Sequence, residues 1–387
     1  MPVEHYDVIM AGGGAAGLSL AYHLAESPLS HLKMLIVDLD EKKSNDRTWC
    51  FWTDEPPHYP EIISKRWDAF YFYGEDFESR LDLAPYAYYM IRGIDFYTHT
   101  RSRLEAMPNV DFVTAKVDAV HDGENYAEVR VGDTSYRAEW VFDSLFLPGE
   151  FLPDFRSHHY LWQHFKGWFI RTDRPVFDPA AATFFDFRVQ QKGVMRFMYI
   201  LPQSETEALV EYTLFSAEIL PDEEYISELD RYISGILGVH NYEILEEESG
   251  KIPMTDQPFP RRGGKRIMYT GTKGGRVKAS TGFAFHRTQQ DSAAIVSCLS
   301  EHGHPFHENL PPGRYGTFDS MLLQILYRQG ESAKRIFTRL FARNPLTRIL
   351  RFLNEEDGLW ENLKLMYTVP WWPFIRAWIK LRIFRKI

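Results

Sequence analysis

YDVIMAGGGAAGLSLAYHLA, residues 6–25, is the stretch that decides the fold. Residues 6–11 are an apolar run of strand length, and the residues after Gly14 continue as an amphipathic helix. Between them Gly12, Gly14 and Gly17 are spaced G-x-G-x-x-G, with Ala15 and Ala16 filling the inner positions. Glycines at that spacing permit a tight turn, close approach of a pyrophosphate, and close packing of helix on strand. The helix N-terminus offers free N–H groups and the positive end of its dipole to the phosphates. The pattern predicts a dinucleotide-binding βαβ unit at the start of an α/β protein.

A second strand, KMLIVDLD (33–40), ends in Asp38 about 20 residues on, the distance expected of a carboxylate on a ribose hydroxyl. Asp40 is the alternative. Arg47, in SNDRTWCFWTD (44–54), is placed to reach the pyrophosphate, or else is an ordinary surface arginine. Far downstream, residues 266–299 read as a strand, a long Gly-rich loop and a helix, with Gly271 at the strand end and Thr281 and Gly282 at the helix start. In a two-part flavin fold such a loop returns to the nucleotide domain and aims its helix dipole at the side of the flavin ring that carries negative charge when reduced. This favours FAD over NAD. No second G-x-G-x-x-G is present to hold a nicotinamide nucleotide, so a reductant must visit transiently.

The 387 residues suit two intergrown domains, and the formal charge of −9 argues against nucleic-acid binding. The two cysteines, Cys50 and Cys298, form no C-x-x-C pair and predict a reducing compartment without a disulfide framework. His302, His304 and His307 have metal-like spacing but fall in a Pro- and Gly-rich loop, so no metal site is expected. The polar lead into the first strand predicts no signal peptide, and no apolar run is long enough to span a bilayer. The tail WWPFIRAWIKLRIFRKI (371–387) is aromatic and basic without an acidic residue. As a helix it puts Trp371, Phe374, Ile375 and Trp378 on one face, opposite Arg376 and Lys380, although Arg382 and Arg385 interrupt the apolar side. That is the pattern of a membrane-interface segment, or of a packed terminal helix with a basic end.

MRFMYILP (195–202) and ALVEYTLFS (208–216) look like paired strands joined by the polar loop QSETE. Alternation puts Leu209, Glu211, Thr213 and Phe215 on one face. A carboxyl among such neighbours is desolvated, holds its proton near neutral pH and can serve as an acid. The bland alternative is a solvated or salt-bridged glutamate on an edge strand.

The motifs VIMAGGGAAGLSLAYHL, NDRTWCFW, FMYILPQSETEALVEYTLFS, GKIPMTDQPF and GTKGGRVKASTGFAF, with the tail FDSMLLQILYRQGESAKRIFTRLFARNPLTRILRFLNEED, resemble the flavin-dependent lycopene cyclases, in particular the bacterial lycopene β-cyclase branch. The resemblance runs nearly end to end. Related flavin hydroxylases carry Gly-Asp where this chain reads Gly271-Thr272, a departure the cyclase branch shares. The resemblance implies that the catalytic glutamate is Glu211, that FAD acts in its reduced form with NAD(P)H as electron source, and that the substrate is lycopene. It also implies a cytoplasmic protein, peripheral on the inner face of the inner membrane. The reaction would be a cyclisation without net redox change.

The expected architecture is α/β: a Rossmann-like FAD-binding domain of the two-dinucleotide-binding-domain flavoprotein type, with an inserted mixed-sheet substrate domain and a helical C-terminal region. The FAD domain is expected from 1–55, 95–150 and 250–305, the carotenoid domain from 56–94 and 151–249, and the helical region from 306–387. Glu355 and Glu356 in FLNEED are expected to cap or solvate a helix end, with a secondary catalytic role as the alternative. Arg276 and Lys278 are expected either to hold phosphate or flavin or to face water.

Overall fold

The computed structural model describes residues 4–146, 152–307 and 313–381. Arg382 and Arg385 of the basic tail therefore lie outside the described residues.

The first sheet contains Val110–Thr114, Met34–Asp38, Glu4–Ala11, Thr134–Asp143, Ala127–Val131 and Ala119–His121 in that spatial order. Ile267–Tyr269 joins the end of Thr134–Asp143 in parallel. Glu4–Ala11 is parallel to both neighbours, which requires crossover helices. Buried on both faces, it is apolar throughout its second half rather than alternating. Val8 and Met10 pack against helices Ala15–Ala25, Gly93–Glu105 and Phe285–His302, while Ile9 and Ala11 pack on the other side with Val117, Val129 and Ile267.

The second sheet has the order Tyr242–Thr255, Tyr160–Thr172, Glu207–Ser216, Met195–Pro202, Ala181–Asp186, Ala69–Tyr73, Glu78–Asp82. It is antiparallel apart from the Ala69–Tyr73 and Ala181–Asp186 pair. The expected hairpin is present: Met195 pairs with Phe215 and Pro202 with Ala208. Tyr242–Thr255 pairs along its whole length with Tyr160–Thr172, so the expected domain boundary at 249/250 falls inside a continuous strand. A smaller sheet of Thr48–Thr53, Ala87–Arg92 and Lys65–Trp67 adjoins these two.

Period-2 alternation sorts the strand Glu207–Ser216 onto two faces. Ala208, Val210, Tyr212 and Leu214 pack with Tyr225, Leu229 and Tyr232 of helix Asp222–Gly235. The opposite face looks toward the C-terminal helices Gly313–Gln329, Ser332–Arg343 and Leu346–Leu353, whose Leu323, Leu326, Phe341 and Ile349 share a core with Leu209 and Phe215. Two shorter helices follow, Leu359–Thr368 and Trp371–Ile379. The first of these lies within the region expected to be helical, with Leu359, Leu363 and Tyr367 at the four-residue spacing of one helix face.

Candidate active site

One cavity of about 490 Å³ joins the glycine loop, the Glu211 face of the second sheet and the inner faces of the C-terminal helices. Its first end is built by the sequence at 12–17. A Cβ on Gly17 would lie 1.9 Å from the Gly12 carbonyl oxygen, so Gly17 serves close packing of helix on turn. A Cβ on Gly14 would meet nothing within 4 Å, which leaves an open cradle at the start of helix Ala15–Ala25. No side chain caps that helix, and its first turn holds no acidic residue. Gly14, Ala15 and Ala16 line the cavity, whereas Gly12 and Gly17 lie behind it. Such an uncapped N-terminus favours an anion.

Asp38 lies directly against this loop, accepting a hydrogen bond of 2.6 Å from the Gly13 N–H. Asp40 is further out and accepts from the Lys42 N–H at 2.7 Å. Lys42 and Arg47 bring positive charge to the cavity wall, Arg47 with Asp46 at 3.5 Å. Gly271 packs on the same helix, since a Cβ there would stand 2.8 Å from Ala16 Cβ. Thr281 and Gly282 also line the cavity but precede the helix start. The N-cap is Ala284, and both N–H groups donate back to the Lys278 carbonyl. They lie in the turn that precedes the helix instead of at its N-terminus.

Opposite Gly282 the buried Gln163 Oε1 has no hydrogen-bond partner among the described residues, and a Cβ on Gly282 would stand 2.1 Å from it. A buried acceptor left so is costly. An N–H group on a planar ring would satisfy it. These features fit a flavin dinucleotide: a phosphate cradle, a carboxylate beside it, and an orphaned acceptor further along the same cavity.

Other loop residues have different duties. Lys278 is buried and paired with Glu355 at 2.7 Å and Asp319 at 3.2 Å, and Arg287 adds to Glu355 at 3.3 Å. These cations hold the Glu355 carboxyl below its usual range, against the effect of burial. Glu355 thus ties the Gly-rich loop to the helical region instead of being solvated, while Glu356 accepts from the Tyr86 hydroxyl at 3.1 Å. Lys278 faces acids rather than water or an open phosphate site. Arg276 lies 3.4 Å from Asp291, a neighbour that opposes the lowering of its pKa by burial to about 10. His307 contacts Asp291 at 3.1 Å and turns away from His302 and His304. Among the described residues no three metal-ligating side chains converge.

Glu211 sits further into the same cavity, with Leu209, Thr213 and Phe215 beside it as alternation requires. It is 7% exposed and its only side-chain hydrogen bond among the described residues comes from the Thr213 hydroxyl. Burial pushes its carboxyl up to about 8, helped by the neighbouring charge of Glu248 and opposed by the Thr213 bond. A group shifted that far is protonated at neutral pH and able to donate.

The sequence reading missed the polar row around Glu211. Across the sheet, Glu248, Gly167, Glu211 and Tyr199 occupy successive register positions on neighbouring strands. Tyr199 and Tyr88 share a hydrogen bond of 2.5 Å beside Cys50. Glu248 accepts from the Thr48 N–H at 3.0 Å and its hydroxyl at 2.6 Å. The signal available was Gly167, an isolated glycine in a strand, which marks a close approach. Glu248 was hidden in the acidic run Glu246-Glu247-Glu248, which reads as a solvated face; Glu246 does pair with Arg92 at the surface, at 2.6 Å.

The far wall is apolar and aromatic. Phe184, Phe185, Phe197, Phe337 and Phe341 line it, with Phe185 and Phe197 ring centroids 4.7 Å apart. Leu365, Met366, Val369 and Phe374 close it from the last two helices.

Neoxanthin synthase, chloroplastic, from Solanum tuberosum is 24% identical over 314 residues, 76% of this chain. The match spans 60% of that protein's length. A geranylgeranyl bacteriochlorophyll reductase-like protein from Thermoplasma acidophilum is similar in structure, with a TM-score of 0.62 at 14% identity over 98% of this chain and 99% of that one. A probable FAD-dependent monooxygenase from Pseudomonas aeruginosa gives a TM-score of 0.58 at 13% identity over 86% and 99%. At such identities the likeness establishes the fold alone, the Rossmann-like α/β flavoprotein architecture with its mixed-sheet second layer and helices. The family model described as lycopene cyclase protein matches residues 7–378, and the chain belongs to that family.

Proposed function

We propose that the protein is a lycopene β-cyclase, closing the acyclic ψ-ends of lycopene to β-ionone rings and giving β-carotene by way of γ-carotene. The observation that carries this reading is a buried Glu211, its carboxyl pushed up to about 8 by burial, in an aromatic cavity continuous with the nucleotide cradle. The reaction adds a proton to a terminal alkene, closes a ring through a carbocation and releases a proton, so the product is an isomer of the substrate. Glu211 Oε–H is the proton donor. Thr213 orients that carboxyl, and the surrounding phenylalanines exclude water and face the cation, worth roughly 0.5–2 kcal/mol each where a ring is well placed.

FAD would be held by Gly14, Ala15, Ala16, Arg47, Asp38 and the 271–282 loop, with Gln163 facing its ring. Reduced FAD, with NAD(P)H as the electron source, supplies negative charge near the cation when bound.

Cyclisation in D2O tests the reading directly. One deuterium per ring closed is expected in a product otherwise of unchanged composition, read by mass spectrometry. A product heavier by oxygen or by two hydrogens would replace this reading with a flavin oxidoreductase acting on an isoprenoid.

The substrate is insoluble in water, so the cavity must be filled from a bilayer. No described helix is long and apolar enough to cross a membrane. The helices whose inner faces close the cavity carry exposed Trp360, Leu363, Tyr367, Trp371, Trp372 and Trp378 outside, with Tyr367 88% exposed. Exposed aromatic rings on these two helices, Trp371 and Trp372 stacked among them, with Lys364, Arg376 and Lys380 on the same segments, suit headgroup depth on an anionic leaflet. In this reading the protein is peripheral on the cytoplasmic face of the inner membrane. Replacing Trp371 and Trp372 together by Ala is expected to reduce co-sedimentation with anionic phosphatidylglycerol vesicles several-fold. Unchanged sedimentation would remove these helices from the membrane contact.

A further inference from the structure

Three neighbouring strands place two carboxylates on either side of a residue without a side chain. Gly167 is in register with Glu211 on one strand and with Glu248 on the other, and both glutamates line the cavity. A Cβ at Gly167 would come 3.2 Å from Glu211 Cβ and 3.0 Å from Leu209 Cδ1, so the glycine keeps a gap between the two acids.

The two carboxylates have unequal surroundings. Glu211 receives one neutral hydroxyl bond, from Thr213. Burial pushes the Glu248 carboxyl up as well, but there it is opposed by two donors, the backbone N–H and the hydroxyl of Thr48, and by the charge of Arg47. Two acids in one desolvated pocket do not both ionise, and the better-solvated one takes the charge.

We propose that Glu248 is a positioning residue: its carboxylate, fixed as the anion by Thr48 across the Gly167 gap, keeps the proton on Glu211. This rests on Glu211 being the acid of the proposed reaction. The step adds no co-reactant. The Glu211 O–H breaks as the substrate C–H forms, and the proton released at the end of cyclisation returns to the same pocket and exchanges with solvent before the next turnover.

The other groups facing the pair leave this assignment intact. On the Glu211 side are Tyr199, Tyr88 and Cys50. Burial raises both phenols well above their ordinary range and pushes the Cys50 thiol up to about 12, so all three stay neutral. On the Glu248 side are Arg47 and Asp46, of opposite sign to each other.

The test is the pH–rate profile of the full-length flavin-loaded enzyme on lycopene in vesicles. Glu248→Gln is expected to move the basic limb about one pH unit lower and to cut the rate at pH 8 about fivefold, with less loss at pH 6. Glu248→Asp, which keeps the charge, should lie between Gln and wild type. A purely structural role would instead depress the rate equally at every pH, and that result overturns the proposal. Should Glu248→Gln fail to fold, Thr48→Val decides the matter. It removes one donor from the Glu248 anion and must shift the limb the same way; an unmoved limb overturns the proposal. A wild-type profile for Glu248→Gln alongside an inactive Glu211→Gln sinks only the role of Glu248, whereas an active Glu211→Gln sinks the function from which it follows.

Discussion

Glu211→Gln is expected to lose at least about 1,000-fold in cyclisation rate, the middle of the range for removal of a general acid. The amide matches the carboxylic acid in shape and can still accept the Thr213 hydroxyl bond, so the cavity wall is preserved while the transferable proton is gone. Stability should move the other way. The Glu211 carboxyl ionises near the ordinary 4.5 of a free glutamate in the unfolded chain and only at about 8 in the folded one. Unfolding therefore releases a proton throughout that interval, and the wild type loses stability as pH rises across it. Glutamine has no such dependence. The variant should be more stable than wild type above pH 8 by about 3–5 kcal/mol, with little difference below pH 4.5. Denaturant titrations at pH 5 and pH 8.5, beside pigment analysis of lycopene-producing cells, check both halves. An inactive and destabilised variant would signify a broken fold, and an active one would leave VEYT as an ordinary strand.

The second large effect is expected at Gly14. A side chain there meets nothing within 4 Å of protein, and the backbone at φ −82° and ψ −164° is extended and open to any residue. Gly14→Val should therefore cost the apoprotein only about 1 kcal/mol, the usual cost of a poor N-cap. It fills the space into which a pyrophosphate must come, and flavin affinity is expected to fall about 100-fold. Loss of the flavin absorbance from purified protein, with a melting temperature of the apoprotein within a few degrees of wild type, is the expected pair of results. Gly17→Ala is the contrasting control. Its Cβ would collide with the Gly12 carbonyl, so it should fail through folding, with cofactor loss as a secondary result. Undiminished flavin binding in Gly14→Val would place the cofactor elsewhere.

Local chemistry made much of this legible. The glycine spacing, the strand ending in Asp38 and the apolar alternation around Glu211 are short-range patterns, and each appears in the structure as the sequence implied. Errors arose where a residue's duty depends on a distant partner. Glu355 reads as a solvated helix end until Lys278 and Arg287, remote in sequence, are brought against it. The start of helix Phe285–His302 lies beyond Thr281 and Gly282 because their N–H groups are engaged by the Lys278 carbonyl, a turn that propensity does not reveal.

The chain by itself determined the α/β flavoprotein architecture, because a glycine turn between a buried strand and a helix permits few alternatives, and it singled out Glu211, because a charge in an alternating apolar strand is costly without a purpose. Only the tertiary structure decided what surrounds that charge. Strand register set Gly167 between Glu211 and Glu248, Thr48 supplied the donors to the second acid, and the C-terminal helices closed the cavity over both. Register and closure are long-range: they are set by which strands pair and which faces are covered, and no window of sequence contains them.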